Sequence, residues 1–122
     1  MNNAQAIHSF WSSFGLPAYD VNTVPDDAAM PYITYEVMES DYFSRIALSA
    51  SLWYKDTSWS AITTKAEIIK SYLGIGGKVI TTDDGALWIT RGTPFAQRMS
   101  EPSSELVRRI TLNINIDYNT VD

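Results

Sequence analysis

The sequence has 122 residues, with 45% apolar and 19% charged side chains and a net charge of −5. That is one ordinary globular domain, able to bury roughly two-thirds of the surface its unfolded chain exposes. No cysteine and a single histidine, His8, exclude disulfides, thiolate metal sites, cysteine nucleophiles and paired-histidine motifs, and the acidic balance argues against a protein that coats duplex DNA with a basic surface.

Ile7, Phe10, Trp11 and Phe14 step by three and four residues and predict an amphipathic helix over 3–14, with Asn2 or Asn3 as N-cap and Gly15 as its stop. Residues 16–31, with Pro17, Asp20, Asn22, Pro25, Asp26, Asp27 and Pro31, read as a long loop. Ile33, Tyr35 and Val37 alternate with polar neighbours and predict a strand over 32–39, then a turn at 41–44 and a second strand over 46–55, together an antiparallel hairpin. Trp59, Ile62, Ala66, Ile69 and Leu73 form the stripe of a second helix over 58–73, capped by Thr57 or Ser58 and closed by Gly74. Asp83-Asp84-Gly85 is a hairpin turn between short strands at 78–82 and 86–91. Residues 92–104 show no period. From 106 to 118, Leu106, Arg108, Ile110, Leu112, Ile114, Ile116 and Tyr118 alternate with Val107 and polar residues, which predicts a half-buried antiparallel strand. No linker or repeat divides residues 1–122. The expected fold is a single α+β domain of order α-β-β-α-β-β-β, a twisted, mainly antiparallel sheet of four to five strands with two helices on one face.

The sequence has no run of the roughly 18–20 apolar residues a membrane span needs, and its start lacks the basic flank of a signal peptide, so the expectation is a chain made in the cytoplasm with no membrane partner. Residues 1–60 carry seven acids against two bases, and residues 61–122 carry seven of each. Such polarity suits distinct faces for distinct neighbours; chance on a solvated surface is the other reading.

The candidate catalytic features each have a plainer account. His8 lies beside the apolar stripe of the first helix, and no Gly-x-Ser-x-Gly elbow accompanies it. The glycines at 74, 76 and 77 follow a helix and precede a strand, the reverse of a phosphate cradle. Asp26-Asp27 and Asp83-Asp84 lack the alternating ligands of a calcium loop and fit turns. No catalytic residue, metal ligand or cofactor is therefore expected. Arg91, Arg98, Arg108 and Arg109 concentrate in the last third, either as a patch for an acidic partner surface or as partners of Glu101 and Glu105. Trp53 and Trp88 fall off the clearly apolar positions, under the helices or at an interface. With Phe95 and Met99 from the aperiodic segment, these are the candidate interface residues, and Arg98 is the expected charged anchor of 92–104.

A series of short matches runs through the chain: Ala-x-x-x-Phe-Trp (6–11), Gly-Leu-Pro-Ala-Tyr (15–19), Val-Pro-Asp-Asp-Ala (24–28), Pro-Tyr-Ile-Thr-Tyr (31–35), Leu-Trp-Tyr (52–54), Ser-Trp (58–59), Ala-Leu-Trp-Ile (86–89) and Arg-Gly-Thr-Pro-Phe-Ala-Gln-Arg-Met (91–99). The series resembles small proteins of tailed-phage morphogenesis modules of Gram-positive hosts, labelled minor capsid or minor tail proteins, and the layout is similar to the tail terminators of long-tailed phages. The resemblance implies a non-enzymatic α+β subunit of a hexameric ring. Such a ring caps the head-proximal end of the tail tube and presents a face to the head–tail connector or stopper protein. DNA passes through it without specific binding. It implies a place in the virion, reached from the host cytoplasm during assembly. A head–tail stopper or completion protein, and a small non-catalytic protein-binding domain, remain the alternatives.

Overall fold

The computed structural model describes residues 1–38, 44–101 and 105–120. The chain runs α1 (Asn3–Ser12), β1 (Ala18–Asp20), β2 (Tyr32–Tyr35), β3 (Ser44–Lys55), α2 (Ser60–Leu73), β4 (Lys78–Thr82), β5 (Gly85–Met99) and β6 (Val107–Thr120). The class is α+β, as expected, but the sheet has six strands in the order β1-β2-β3-β6-β5-β4. All neighbours are antiparallel except β1 and β2.

The periodic elements form for the reasons their spacing indicates. Asn2 caps α1 in a full capping box with Gln5, which satisfies donors that the first helical turn leaves open. The stripe Ile7, Phe10, Trp11 and Phe14 is buried even though the helix ends at Ser12. In α2, Ile62, Ala66, Ile69 and Leu73 are buried and Gly74 closes the helix at a φ of +63°. Its start differs from expectation. Trp59 is the N-cap, and Ser58 instead accepts a bond from the Ser60 N–H. The long strand β6 buries Ile110, Leu112, Ile114, Ile116 and Tyr118 on one face. These residues join both helix stripes in one core. Helix α1 touches β1 at one edge of the sheet and β4 at the other, so the twisted sheet curls around the helices.

Three expectations change. The loop over 16–31 contains β1, three residues laid parallel to β2 through Ile33 N–H to Pro17 O and Val21 N–H to Tyr35 O. Three residues are too few for alternation to show. The aperiodic segment over 92–104 is strand as far as Met99, with a bulge between Arg91 and Ala96 that breaks the period. The first hairpin strand ends at Tyr35 rather than 39, and the turn at 41–44 lies outside the described residues apart from Ser44, which opens β3. The Asp83-Asp84 turn is as expected: Thr82 pairs with Gly85 and leaves two residues between the strands.

Gly92 opens the bulge. A Cβ there would lie 2.8 Å from the Asn113 carbonyl oxygen of β6, closer than real side chains approach backbone. Gly76, by contrast, faces open space. Gly92→Ala is expected to cost about 1–3 kcal/mol in urea unfolding, the range of overpacking. Gly76→Ala should leave stability unchanged or raise it by up to about 1 kcal/mol. Equal effects at the two positions would contradict the close packing at the bulge.

Candidate interaction surfaces

The face of the sheet turned away from the helices is polar and built in rows. Tyr32, Trp53, Arg109 and Met99 are aligned across β2, β3, β6 and β5, and beside them run Thr34, Ser51, Thr111 and Gln97. Trp53 donates its indole N–H to Thr34 Oγ1 at 2.9 Å. The Arg109 guanidinium lies 4.6 Å from the Trp53 ring, donates to Ser51 Oγ and pairs with Glu101 at 3.3 Å. The Tyr32 ring lies 6.4 Å from Trp53, and Tyr19 meets Tyr32 edge to face at 5.7 Å. The result is an aromatic and cationic ladder in which Thr34 and Ser51 accept from Trp53 and Arg109 while the buried Thr111 hydroxyl has no partner among the described residues, and its tyrosine, tryptophan and arginine side chains are the kinds that interfaces favour.

At the far end of this face, Arg45 bonds Asp117 in a fork at 2.6 and 2.9 Å. Trp88 stands opposite Asp117 in the register and donates its indole N–H to Gly76 O at 2.8 Å. It is 37% exposed.

A second surface lies where α2 begins and β6 starts beside the end of β5. Trp59, Arg98, Met99, Glu101, Glu105 and Arg108 line a cleft of about 480 Å³. The Arg98 and Arg108 guanidinium carbons stand 4.8 and 5.4 Å from the Trp59 ring, both within cation–π range. Arg108 is held by the carbonyls of Glu105 and Thr57.

The four clustered arginines thus separate. Arg91 donates to Lys70 O near the C-terminal end of α2, where a cation meets the open carbonyls and the negative end of the helix dipole. Arg98 and Arg108 share Trp59. Arg109, one residue from Arg108, lies on the opposite face of the sheet with Trp53. Of the two proposed partners, Glu101 pairs with Arg109, and Glu105 makes no ion pair among the described residues. Phe95 is 8% exposed and belongs to the core of its own chain, so it offers no surface. Met99 is half-buried beside Arg109. Sequence reasoning passed over Tyr19 and Tyr32, whose place in the ladder depends on β1, and read Trp59 as core, although it packs only at the core's rim.

His8 accepts or donates at both ring nitrogens, 2.7 Å from the Tyr35 hydroxyl and 3.2 Å from Ser12 Oγ. The serine–histidine pair has a phenol where a triad has a carboxylate. Burial, and then the charge of Asp20, push the Tyr35 phenol above its ordinary pKa, so it stays neutral and cannot balance an imidazolium. Among the described residues no group of three or more metal-ligating side chains comes together, and no helix is long and apolar enough to cross a membrane.

No protein-family profile matches the sequence, and no curated protein matches it. Among solved structures the chain is similar to one described as the virion of a native gene transfer agent particle, with a TM-score of 0.65 and 15% identity over 95% of this chain and 93% of that one. The two share a fold along nearly their whole lengths.

The fork from Arg45 holds the Asp117 carboxyl below the usual carboxylate range. A carboxyl with a lowered folded-state pKa stabilises above its unfolded value of about 3.9 and loses that contribution as pH falls through the folded value. The stability gap between the wild type and Asp117→Asn is therefore expected to be constant near neutrality and to close below about pH 3.9. The pair is partly solvated and the gap small, so thermal melts from pH 2 to 6 need replicate precision. A gap independent of pH would contradict the assignment.

Proposed function

We propose that this chain is a structural protein of a tailed phage-like particle, and specifically a tail terminator that caps the head-proximal end of the tail tube as a ring, a hexamer by the family pattern. The observation that carries the reading is the match of fold to a chain of a gene transfer agent virion, end to end on both sides. The series of short sequence matches to tail-module proteins points the same way. The surfaces support it. A ring of identical subunits needs two different lateral patches and two axial faces. The chain has a rigid polar sheet face, an arginine-lined cleft, and an acidic first half.

In this reading the partners are further copies of the chain, the tail tube protein, and the connector or stopper on the head side. The candidate contacts are Trp53, Trp88, Arg98, Met99, Arg108 and Arg109, with Arg91 supporting α2 from behind. DNA crosses the ring without being gripped, because phosphate affinity comes from lysines and arginines and the chain is net acidic.

Removing the gene from a particle-producing host and imaging the lysate tests the role. Loss of a terminator gives tails of irregular, excessive length and heads without tails. Tails of normal length beside unjoined heads would instead assign the stopper or completion role, and normal particles would refute both. In a separate assay, the isolated protein at about 10 µM should leave a labelled duplex unretarded at about 0.15 M salt. Retardation would contradict free passage of DNA.

A further inference from the structure

We propose that the cleft between Trp59, Arg98 and Arg108 receives a carboxylate from a second copy of this chain, supplied by Asp26 or Asp27 in the connection between β1 and β2. The inference rests on the ring reading above and names the contact that would close it.

The cleft holds more cation than free carboxylate: with Glu101 engaged elsewhere, Arg98 and Arg108 face Glu105 alone. Two guanidiniums share one indole ring, and no carboxylate lies within ion-pair distance of either among the described residues. Glu101, on the cleft wall, is engaged by Arg109. Glu105 lines the same wall and makes no ion pair among the described residues. Arg108 is anchored by backbone carbonyls, so it is already oriented before any partner arrives. Arg98 is exposed, lies over the ring and makes no side-chain hydrogen bond or ion pair among the described residues, which leaves its donors open to a two-pronged bond with a carboxylate. Trp59 supplies the flat apolar floor that shields such a pair from water.

The same chain carries the complement. No lysine or arginine precedes Arg45, whereas six acids do, of which Asp20, Asp26, Asp27 and Glu36 lie among the described residues. Asp20 is occupied by the Asn22 N–H, and Glu36 by the Ser49 N–H. The side chains of Asp26 and Asp27 are exposed and have no hydrogen bond or ion pair among the described residues. Their segment borders the β1–β2 side of the sheet, and the cleft opens at β5 and β6, with β3 between. Two patches of opposite sign at separate places on one subunit are what a head-to-tail contact requires. A nucleic-acid phosphate would also suit arginine and tryptophan, but a net charge of −5 disfavours a long polyanion more than a single side-chain carboxylate.

The test is sedimentation of the full chain at low and high salt, with Arg98→Glu, with Asp26→Lys/Asp27→Lys, and with all three changes combined; circular dichroism checks that each variant folds. The wild type is expected to self-associate and to weaken as salt rises. Each charge reversal alone should weaken association at least tenfold, and the combination should recover most of the loss. Arg98→Gln should fall between wild type and Arg98→Glu. A wild type that stays monomeric at low salt, charge reversals without effect, or a combination that recovers nothing would overturn the contact. So would Arg98-dependent retention of a labelled duplex. The tail-length assay is independent: overlong tails with charge-insensitive association would remove this contact and leave the terminator reading standing, and normal tails with charge-dependent association would do the reverse.

Discussion

Five large side chains of β6, from Ile110 to Tyr118 in steps of two, are each 3% exposed or less. They lie in the strand that runs between β3 and β5 at the middle of the sheet. Because side chains alternate with a period of two, a slip of one residue would send all five into water and turn Arg109, Thr111, Asn113 and Asn115 into the core. At about 1.5–3 kcal/mol for each buried side chain, that slip would cost about as much as the whole net stability of a domain, 5–15 kcal/mol. The register is therefore fixed, and with it the twelve-residue pairing to β3 and the placing of both helix stripes on the same side.

What β6 fixes on one face it leaves available on the other. The polar rows on the far side are the obligate partners of the buried ones, so the aromatic ladder of Tyr32, Trp53 and Arg109 is positioned by the core without belonging to it. The consecutive pair Arg108 and Arg109 shows the division most sharply. One side chain turns toward Trp59 at the start of α2, and the other toward Trp53 on the outer face. Four arginines close together in sequence therefore serve three separate places, and the notion of a single basic patch does not survive the pleat.

The helices, the Asp83-Asp84 turn and β6 were legible in the sequence because each repeats its period over several turns or residue pairs, with a cap or a turn at its end. β1 was not, since three residues carry no period and its side-chain contacts with β2, such as Tyr19 against Tyr32, exist only once the strands are paired. The second half of β5 was hidden for another reason. Leu87, Ile89 and Arg91 align with inward residues of β6, and an unbroken strand would continue through odd numbers; after the bulge it is Ala96 and Arg98 that align with Leu112 and Ile110. Gly92 and Pro94, which strand interiors avoid, sit where the parity changes. The side of the sheet on which Arg98 stands thus depends on a bulge that only the fold reveals, and so did the burial of Phe95 beside it.

That change of parity has a functional consequence. Without the bulge Arg98 would stand on the outer face in the company of Arg109; with it, Arg98 joins Arg108 over Trp59 and the cleft acquires its second cation. A bulge in a long strand is tolerated only where something stabilises it. Here Asn113 of β6 donates to Pro94 O and Asn115 donates to Arg91 O, so two side chains of the central strand hold the displaced backbone. The polar alternation of β6 therefore both marks the solvent face and braces the irregularity that assembles the arginine cleft. An asparagine ladder spent in this way ties the interaction surface to the same strand whose apolar side builds the core.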